Sequence, residues 1–290
     1  MDVSIIIVNF NTEKLLRNCL ESIFKYTHDL SFEVIVSDNG SKDNSISMIK
    51  NNFPQVIILE NNANLGFGTA NNKALEISNG KYIFYLNSDT QLNNNAVKYF
   101  FDYWENSIQK NEIGALGCNL SGFNNELMPS YGAFPNYINE VKKRFIELPK
   151  LIVKRIIFAI GKNYNKKPYP KQKLYFGKVD YVTGADLFVL NNEDARYDER
   201  YFLYFEETDL ELNLSRKNKF AFIIDGPKIS HLCNILGQQK NDIELMRSFS
   251  HKQYDISCIK YFQKNKKYGK TSKCILLKFI VKLTWILIKI

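Results

Sequence analysis

Apolar residues along the first 90 positions follow two alternating rhythms. Short unbroken runs at Ser4–Val8, Phe32–Ser37, Val56–Leu59 and Lys81–Leu86 predict strands buried on both faces. Between these runs the apolar positions recur at helical spacing. In Glu13–Tyr26, Leu15, Leu16, Cys19, Leu20, Ile23 and Phe24 mark one helical face, with Thr12 as the expected N-cap. Asn44–Asn52 and Gly68–Ser78 also read as helices. The order β-α-β-α-β-α-β calls for a parallel sheet covered by helices. Ligands of such sheets bind beyond the carboxyl ends of the strands. The polar clusters Asn9-Phe10-Asn11, Asp38-Asn39-Gly40 and Asn87-Ser88-Asp89 stand at those ends.

The second half is less regular. Ala96–Ser107 predicts a helix and Ile113–Asn119 a strand. Phe134–Lys178 is basic and punctuated by proline, which suits a helix plus a loop. Val182–Leu190, Tyr201–Arg216 and Phe220–Asp225 form a mixed strand-helix-strand unit, and Leu276–Ile290 is an apolar tail. The expected architecture is an α/β sandwich with a central, mostly parallel sheet. Residues 1–240 form its main domain, with a basic insertion at 134–178, and residues 241–290 form a C-terminal helical appendage.

Charge sharpens this division. Lys142–Lys178 holds 12 Lys and Arg against one acid, and Lys252–Ile290 holds ten Lys against one acid. The rest of the chain keeps 17 basic and 28 acidic residues, so a net positive chain has an acidic body. The basic segments are interleaved with Ile, Leu and Phe and carry no nucleic-acid motif. An anionic lipid surface or a pyrophosphate-linked acceptor is therefore the expected partner, rather than nucleic acid. Within Lys273–Ile290, Lys278, Lys282 and Lys289 cluster on one side at about 100° per residue. The other faces carry Ile275, Leu276, Phe279, Ile280, Leu283, Trp285 and Ile286. That is the pattern of an in-plane amphipathic helix, and a helix docked on the body or an oligomer contact would show it too. No stretch of 18 uncharged apolar residues occurs, and Met1-Asp2-Val3 carries no basic leader. The five cysteines are odd in number and widely spaced, which argues against a disulfide framework. The expected location is cytoplasmic, peripheral on the inner face of the membrane.

Candidate chemistry gathers at a few segments. Neither G-x-G-x-x-G nor a P-loop is present. Asp89, at a strand end, suits a divalent cation that offsets the charge of a diphosphate. His231 follows a Gly-Pro turn and can complete such a site. Asp38 can accept from a pyrimidine ring N–H or a ribose hydroxyl. Asn62–Asn72, with Asn64, Gly66 and Asn71, offers small residues and amides for close approach to a sugar or phosphate. Tyr204–Leu210 packs Glu206, Glu207 and Asp209 into four residues, with Glu206 and Asp209 on one helical face and Glu207 about 100° away. Taken singly, each segment also reads as an ordinary turn or helix start.

Together they resemble the family 2 glycosyltransferases of the GT-A fold, notably bacterial rhamnosyltransferase-like members, from about Val3 to about Gln239. The resemblance rests on S-I-I-I-V-N-F-N (4–11), V-S-D-N-G-S-K-D (36–43), N-x-N-L-G-F-G-x-A-N-N (62–72) and L-N-S-D-T (86–90). It continues through V-T-G-A-D (182–186), Y-D-E-R-Y-F-L-Y-F-E-E-T-D-L (197–210) and His231. It implies an inverting transfer of rhamnose or another hexose from a nucleotide diphosphate to a saccharide or lipid-linked acceptor, in cell-surface polysaccharide synthesis, with Mg²⁺ or Mn²⁺. Asn9, Asn11, Asp38, Asn64, Gly66, Asn71, Asn87, Ser88, Gly184 and Asp186 would then face the donor. Asp89 and His231 would hold the metal, although Asn87 stands where the family's motif has its first acid. Glu207 matches the base of the family's E-D motif, as Glu instead of Asp. Glu206 and Asp209 are its rivals and the expected acceptor contacts. A non-catalytic nucleotide-sugar-binding module and a sugar-nucleotide pyrophosphorylase are the alternatives. The latter expects a Gly-rich, Arg-containing loop where Asn9–Thr12 stands.

Overall fold

The computed structural model describes residues 1–159, 173–232, 240–265 and 272–289. The middle of the basic insertion and residues 233–239 at the end of the expected main domain lie outside the described residues. So do the side chains of Lys273, Ile286 and Lys289.

The first half runs β1 (Val3–Asn9), α1 (Glu13–Tyr26), β2 (Phe32–Asp38), α2 (Ser45–Asn52), β3 (Ile57–Glu60), α3 (Phe67–Leu75), β4 (Tyr82–Asn87), β5 (Thr90–Leu92), α4 (Ala96–Asn106) and β6 (Ile113–Gly117). The second half runs β7 (Tyr131–Gly132), α5 (Tyr137–Ala159), β8 (Gly177–Val179), β9 (Tyr181–Val182), β10 (Asp186–Leu190), α6 (Glu206–Arg216), β11 (Phe220–Ile223), β12 (Ile229–His231), α7 (Lys240–Lys264) and α8 (Ser272–Lys289). Eight strands form one sheet in the order β3-β2-β1-β4-β10-β6-β11-β8. β1, β2, β3 and β4 pair in parallel, as do β6 and β11. β10 is reversed between β4 and β6, and β8 closes the edge antiparallel to β11. The sheet is thus mostly parallel, as its apolar runs require.

Alternation along β1 builds the two faces. Ile5 and Ile7 join Leu16, Leu20, Met48 and Phe100 on the side of α1, α2 and α4. Ile6 faces the other way, with Ala74 of α3 and Leu210 and Leu214 of α6. Burying a strand on both faces removes each aliphatic side chain from water, worth about 1.5–3 kcal/mol apiece. Cys19 of α1 lies wholly buried beneath the β4 end, its thiol pushed up to about 12 by burial.

Thr12 stands at the N-cap of α1, as expected. The Thr12 hydroxyl makes no cap bond and donates instead to Asn9 Oδ1 at 2.6 Å. The Asp43 carboxylate, from the loop after β2, accepts the Glu13 amide at 2.9 Å and caps the helix from outside. The helix expected over Gly68–Ser78 ends at Leu75, where the Ile77 and Ser78 amides tighten into a three-residue turn.

α5, α7 and α8 pack beside α6. Their shared core holds Tyr137, Tyr201, Phe205, Cys258, Tyr261, Phe262, Leu277 and Val281. A buried ion pair fastens it: Arg144 donates to one oxygen of Asp255 at 2.5 Å, and Trp285 Nε1 donates to the other at 2.7 Å. Arg144→Ala would leave the Asp255 charge unpaired inside this core. It should lower stability by roughly 3–5 kcal/mol in urea denaturation, whereas an exposed pair such as Lys50–Glu60 should cost under about 1 kcal/mol when broken.

Candidate active site

The site assembles where β1, β2 and β4 end, and three loops converge there. Asn87-Ser88-Asp89 leaves β4 and turns back as β5, which pairs antiparallel with β12. Thr90 sits opposite His231, and the Leu232 amide donates to the Asp89 carbonyl at 2.8 Å. This short ribbon brings together residues far apart in the chain, and His231 Nε2 lies 3.1 Å from Asp89 Oδ1. A carboxylate and an imidazole at that separation can share one divalent cation, so the donor types fit. Among the described residues no group of three or more His, Cys, Asp and Glu converges as a closed metal cage. A cation held by this pair would complete its shell from water and substrate phosphates, as Mg²⁺ and Mn²⁺ do readily.

Asp38 and its surroundings are tightly bonded. One oxygen accepts the Gly40 and Ser41 amides at 3.0 and 2.8 Å. The other accepts Asn9 Nδ2 at 2.8 Å and Ser41 Oγ at 2.6 Å. A carboxylate offers about four acceptor positions, and all are used here. Asp38 therefore shapes the loop, and a ligand contact to it would have to displace one of these donors. Asn9 is equally engaged, while Asn11 fixes the neighbouring turn by accepting the Lys42 amide at 2.6 Å. The Ser88 and Thr12 hydroxyls lie 2.9 Å apart, tying the β4 turn to the start of α1.

The third loop is Asn64–Phe67. Gly66 has φ +88°, and a side chain there would lie 2.5 Å from the Phe202 carbonyl oxygen, so only glycine fits. The Phe67 amide donates to that carbonyl at 2.8 Å, which binds the start of α3 to the segment before α6. Asn64 accepts the Gly66 amide, and Asn71 is buried and donates to the Phe67 carbonyl. Both shape the loop.

The reversed strand β10 supplies the link between the two halves. The Asn87 amide donates to the Ala185 carbonyl at 3.1 Å. A side chain on neighbouring Gly184 would lie 3.6 Å from the Phe67 ring and 3.8 Å from Glu207 Cβ. The 183–185 loop thus runs from the Asp89 turn to the first turn of α6. Asp186 behaves differently. It is fully buried and accepts the Cys118 amide at 2.7 Å, and burial pushes its carboxyl up to about 8. The structure places it beneath the site, not on its surface.

The three acids of α6 separate. Asp209 is buried and structural: Asn265 donates to it at 2.8 Å, Tyr201 at 3.3 Å, and Lys264 pairs with it. These partners lie in α7 and the Tyr201 turn, so its expected acceptor contact is not what the structure provides. Glu206 and Glu207 instead stand at the open helix end, each with one buried oxygen that has no hydrogen-bond partner in the protein. Burial drives the Glu206 carboxyl well above the usual range and Glu207 to about 7, and the two repel one another. Preceding them, Tyr204 and Phe205 both adopt positive φ, 69° and 71°. Phe205 is held there by Tyr254 and Tyr261 of α7 at ring separations of 5.1 and 5.3 Å. Such strain persists only where the surroundings impose it. Sequence reasoning missed Glu211, whose two oxygens accept the Val182 amide at 2.9 and 3.0 Å and position the same loop from below. Its spacing four residues after Glu207 was the available signal.

A carboxylate turn after the fourth strand, facing an acidic helix across a reversed strand, is the GT-A class of fold. Residues 4–116 match the family model Glycosyl transferase family 2, so this part of the chain is similar to the family 2 glycosyltransferases. It is 24% identical over 276 residues to a poly(ribitol-phosphate) beta-glucosyltransferase of Bacillus spizizenii, covering 89% of this chain and 41% of that one. It is 31% identical over 151 residues to the UDP-Glc:alpha-D-GlcNAc-diphosphoundecaprenol beta-1,3-glucosyltransferase WfaP of Escherichia coli, covering 47% of this chain and 57% of that one. The chain spans less than two thirds of the length of each of these relatives. Among solved structures it is similar to the mannosyltransferase PcManGT from Pyrobaculum calidifontis in complex with GDP-Man and Mn2+. That likeness has a TM-score of 0.56 at 13% identity and covers 98% of this chain and 71% of that one.

The raised carboxyl of Glu207 makes a stability prediction. Between the ordinary value of 4.5 and about 7, the folded chain keeps a proton that the unfolded chain releases. Stability from this group is therefore full below 4.5 and falls as pH rises to about 7. Glu207→Gln should flatten that fall in urea denaturation midpoints measured across the window, and an unchanged slope would place the titration elsewhere.

Proposed function

We propose that the protein is a metal-dependent, inverting hexosyltransferase that moves a sugar from a nucleotide diphosphate to a saccharide or lipid-linked acceptor. The observation that carries this reading is the placement of two unlike groups at the two ends of one loop. Asp89 and His231 stand 3.1 Å apart at the β4 end, and Glu207, with a free buried oxygen, stands at the other end beside Gly184. The E. coli relative acts, by its name, on a diphosphoundecaprenol-linked acceptor, which supports a lipid-linked acceptor here.

In the proposed reaction the acceptor hydroxyl oxygen bonds to the anomeric carbon as the bond from that carbon to the phosphate oxygen breaks. The hydroxyl proton passes to Glu207, and the bonding pair leaves with the nucleoside diphosphate. Asp89 and His231 would hold a Mg²⁺ or Mn²⁺ ion, which offsets charge on the departing diphosphate. The protein's own contribution is orientation and a dry site. Gly66 lets the start of α3 close on the Phe202 carbonyl, and Glu211 and Asn87 hold the 183–185 loop between the reacting groups. Burial keeps Glu207 poised near neutrality, where a base both accepts readily and is available.

Incubation with a panel of UDP-, dTDP- and GDP-sugars and Mn²⁺ tests the proposal by release of nucleoside diphosphate. Glu207→Gln should lower kcat by about 10²–10⁴-fold while keeping donor affinity. Glu206→Gln should retain more activity, and the reverse ranking would move the base by one residue. For the wild type, kcat should rise with pH through about 7 as Glu207 loses its proton. Asp89→Asn should abolish metal-dependent donor binding, and full binding by that variant in Mn²⁺ would remove the metal assignment.

A further inference from the structure

The helical appendage hides only part of its apolar surface. In α8, Leu277, Ile280 and Val281 are buried against the protein, and Trp285 points to Asp255. The amphipathic helix expected from the sequence is therefore docked, and its inward apolar side is already satisfied. A second apolar group lies outside. Ile275, Leu276 and Phe279 are 64%, 42% and 59% exposed, and about 100° per residue sets them in a single arc. The exposed Lys278 and Lys282 flank that arc on one side.

α5, which packs against α8, repeats the arrangement. Its inward side carries Tyr137, Val141 and Arg144. Ile138, Phe145, Ile146 and Val153, between 49% and 60% exposed, fall with Lys142 and Pro149 within an arc of about 100°. Two adjacent helices thus each present an apolar arc carrying or flanked by lysines. Clustered apolar exposure of this kind marks a contact surface. No helix among the described residues is long and apolar enough to cross a membrane. α8 holds no acid, and the two acids of α5, Glu140 and Glu147, fall outside its apolar arc.

We propose that the outer arcs of α5 and α8 form a composite surface that lies on an anionic lipid bilayer, with Phe145, Ile146, Ile275 and Phe279 entering the headgroup layer and the lysines meeting lipid phosphates. Charge decides for lipid over a second copy of the chain. Two such faces brought together would oppose lysine to lysine, whereas an anionic surface neutralises them and admits the apolar residues between. The surface belongs to the same helical group that fixes Phe205 and the start of α6, so docking would present the active-site end of α6 to substrates held at the membrane.

The test is co-sedimentation of the full chain with vesicles of phosphatidylglycerol and phosphatidylcholine in equal parts, beside vesicles of phosphatidylcholine alone. Binding to the anionic vesicles, weakened by salt and absent from the neutral ones, is expected. Phe145→Ser with Ile146→Ser, and separately Ile275→Ser with Phe279→Ser, should each reduce the bound fraction about tenfold or more, with unchanged circular dichroism and thermal midpoint. These residues are exposed, so the fold does not depend on them. Loss in the α8 variant alone would overturn the composite surface. Full binding by both variants, or a wild type that stays in solution and dimerises through these residues by light scattering, would overturn the lipid assignment. The readout needs no donor or turnover, so it stands or falls separately from the proposed transfer reaction.

Discussion

The hydrogen bond between the Asn87 amide and the Ala185 carbonyl is the joint on which the site depends. It exists because β10 enters the sheet backwards beside β4. Had that neighbour been parallel, its preceding loop would lie at the opposite end of the sheet, far from Asp89. Reversal brings the start of β10 to the finish of β4. One antiparallel pairing therefore joins the turn that carries Asp89 to the acidic start of α6.

Electrostatics follows from that joint. The first turn of α6 is enclosed by the 183–185 loop, by Phe67 and by Tyr197, so Glu206 and Glu207 lose water without gaining a cation. Asp209, two residues on, meets Lys264 and Asn265 instead. Neighbouring carboxylates on one helix thus have opposite fates, decided by what packs against each. An unpaired buried acid is costly to folding, and the ion pairs of α7 and the aromatic contacts of Phe205 offset that cost from outside the site.

Much of this was legible in the residues. The four parallel strands and their helices follow from the alternation of apolar runs with helical spacing, because burial on both faces leaves a plain mark. The strand-end position of Asp89 was equally plain. The pairing of Asp89 with His231 was expected from the family resemblance, while β5 and β12, which bring it about, are three residues each and too short to leave a periodic signal. The roles of Asp38 and Asp186 were not legible. An aspartate at a strand end looks the same whether it faces a ligand or accepts four hydrogen bonds from its own turn. Fine division within the acidic run also needed tertiary partners that lie some 50 residues downstream. The tail's pattern allowed both docking and lipid contact, and periodicity alone could not reveal that its apolar residues divide between the two sides of α8.

The positive φ of Tyr204 and Phe205 has a bearing on how the protein is made. Chains emerge from the ribosome N-terminal end first, and domains begin to fold as they appear. β1 through β4 are available once residue 87 is out, and the β5–β12 ribbon once His231 is out. The strained start of α6 lacks its packing and ionic partners Tyr254, Tyr261, Lys264 and Asn265 until they follow. The nascent chain can therefore acquire its parallel strands well before its acidic helix end takes its final shape. The acidic turn is thus completed late in synthesis, after the helices that lock it.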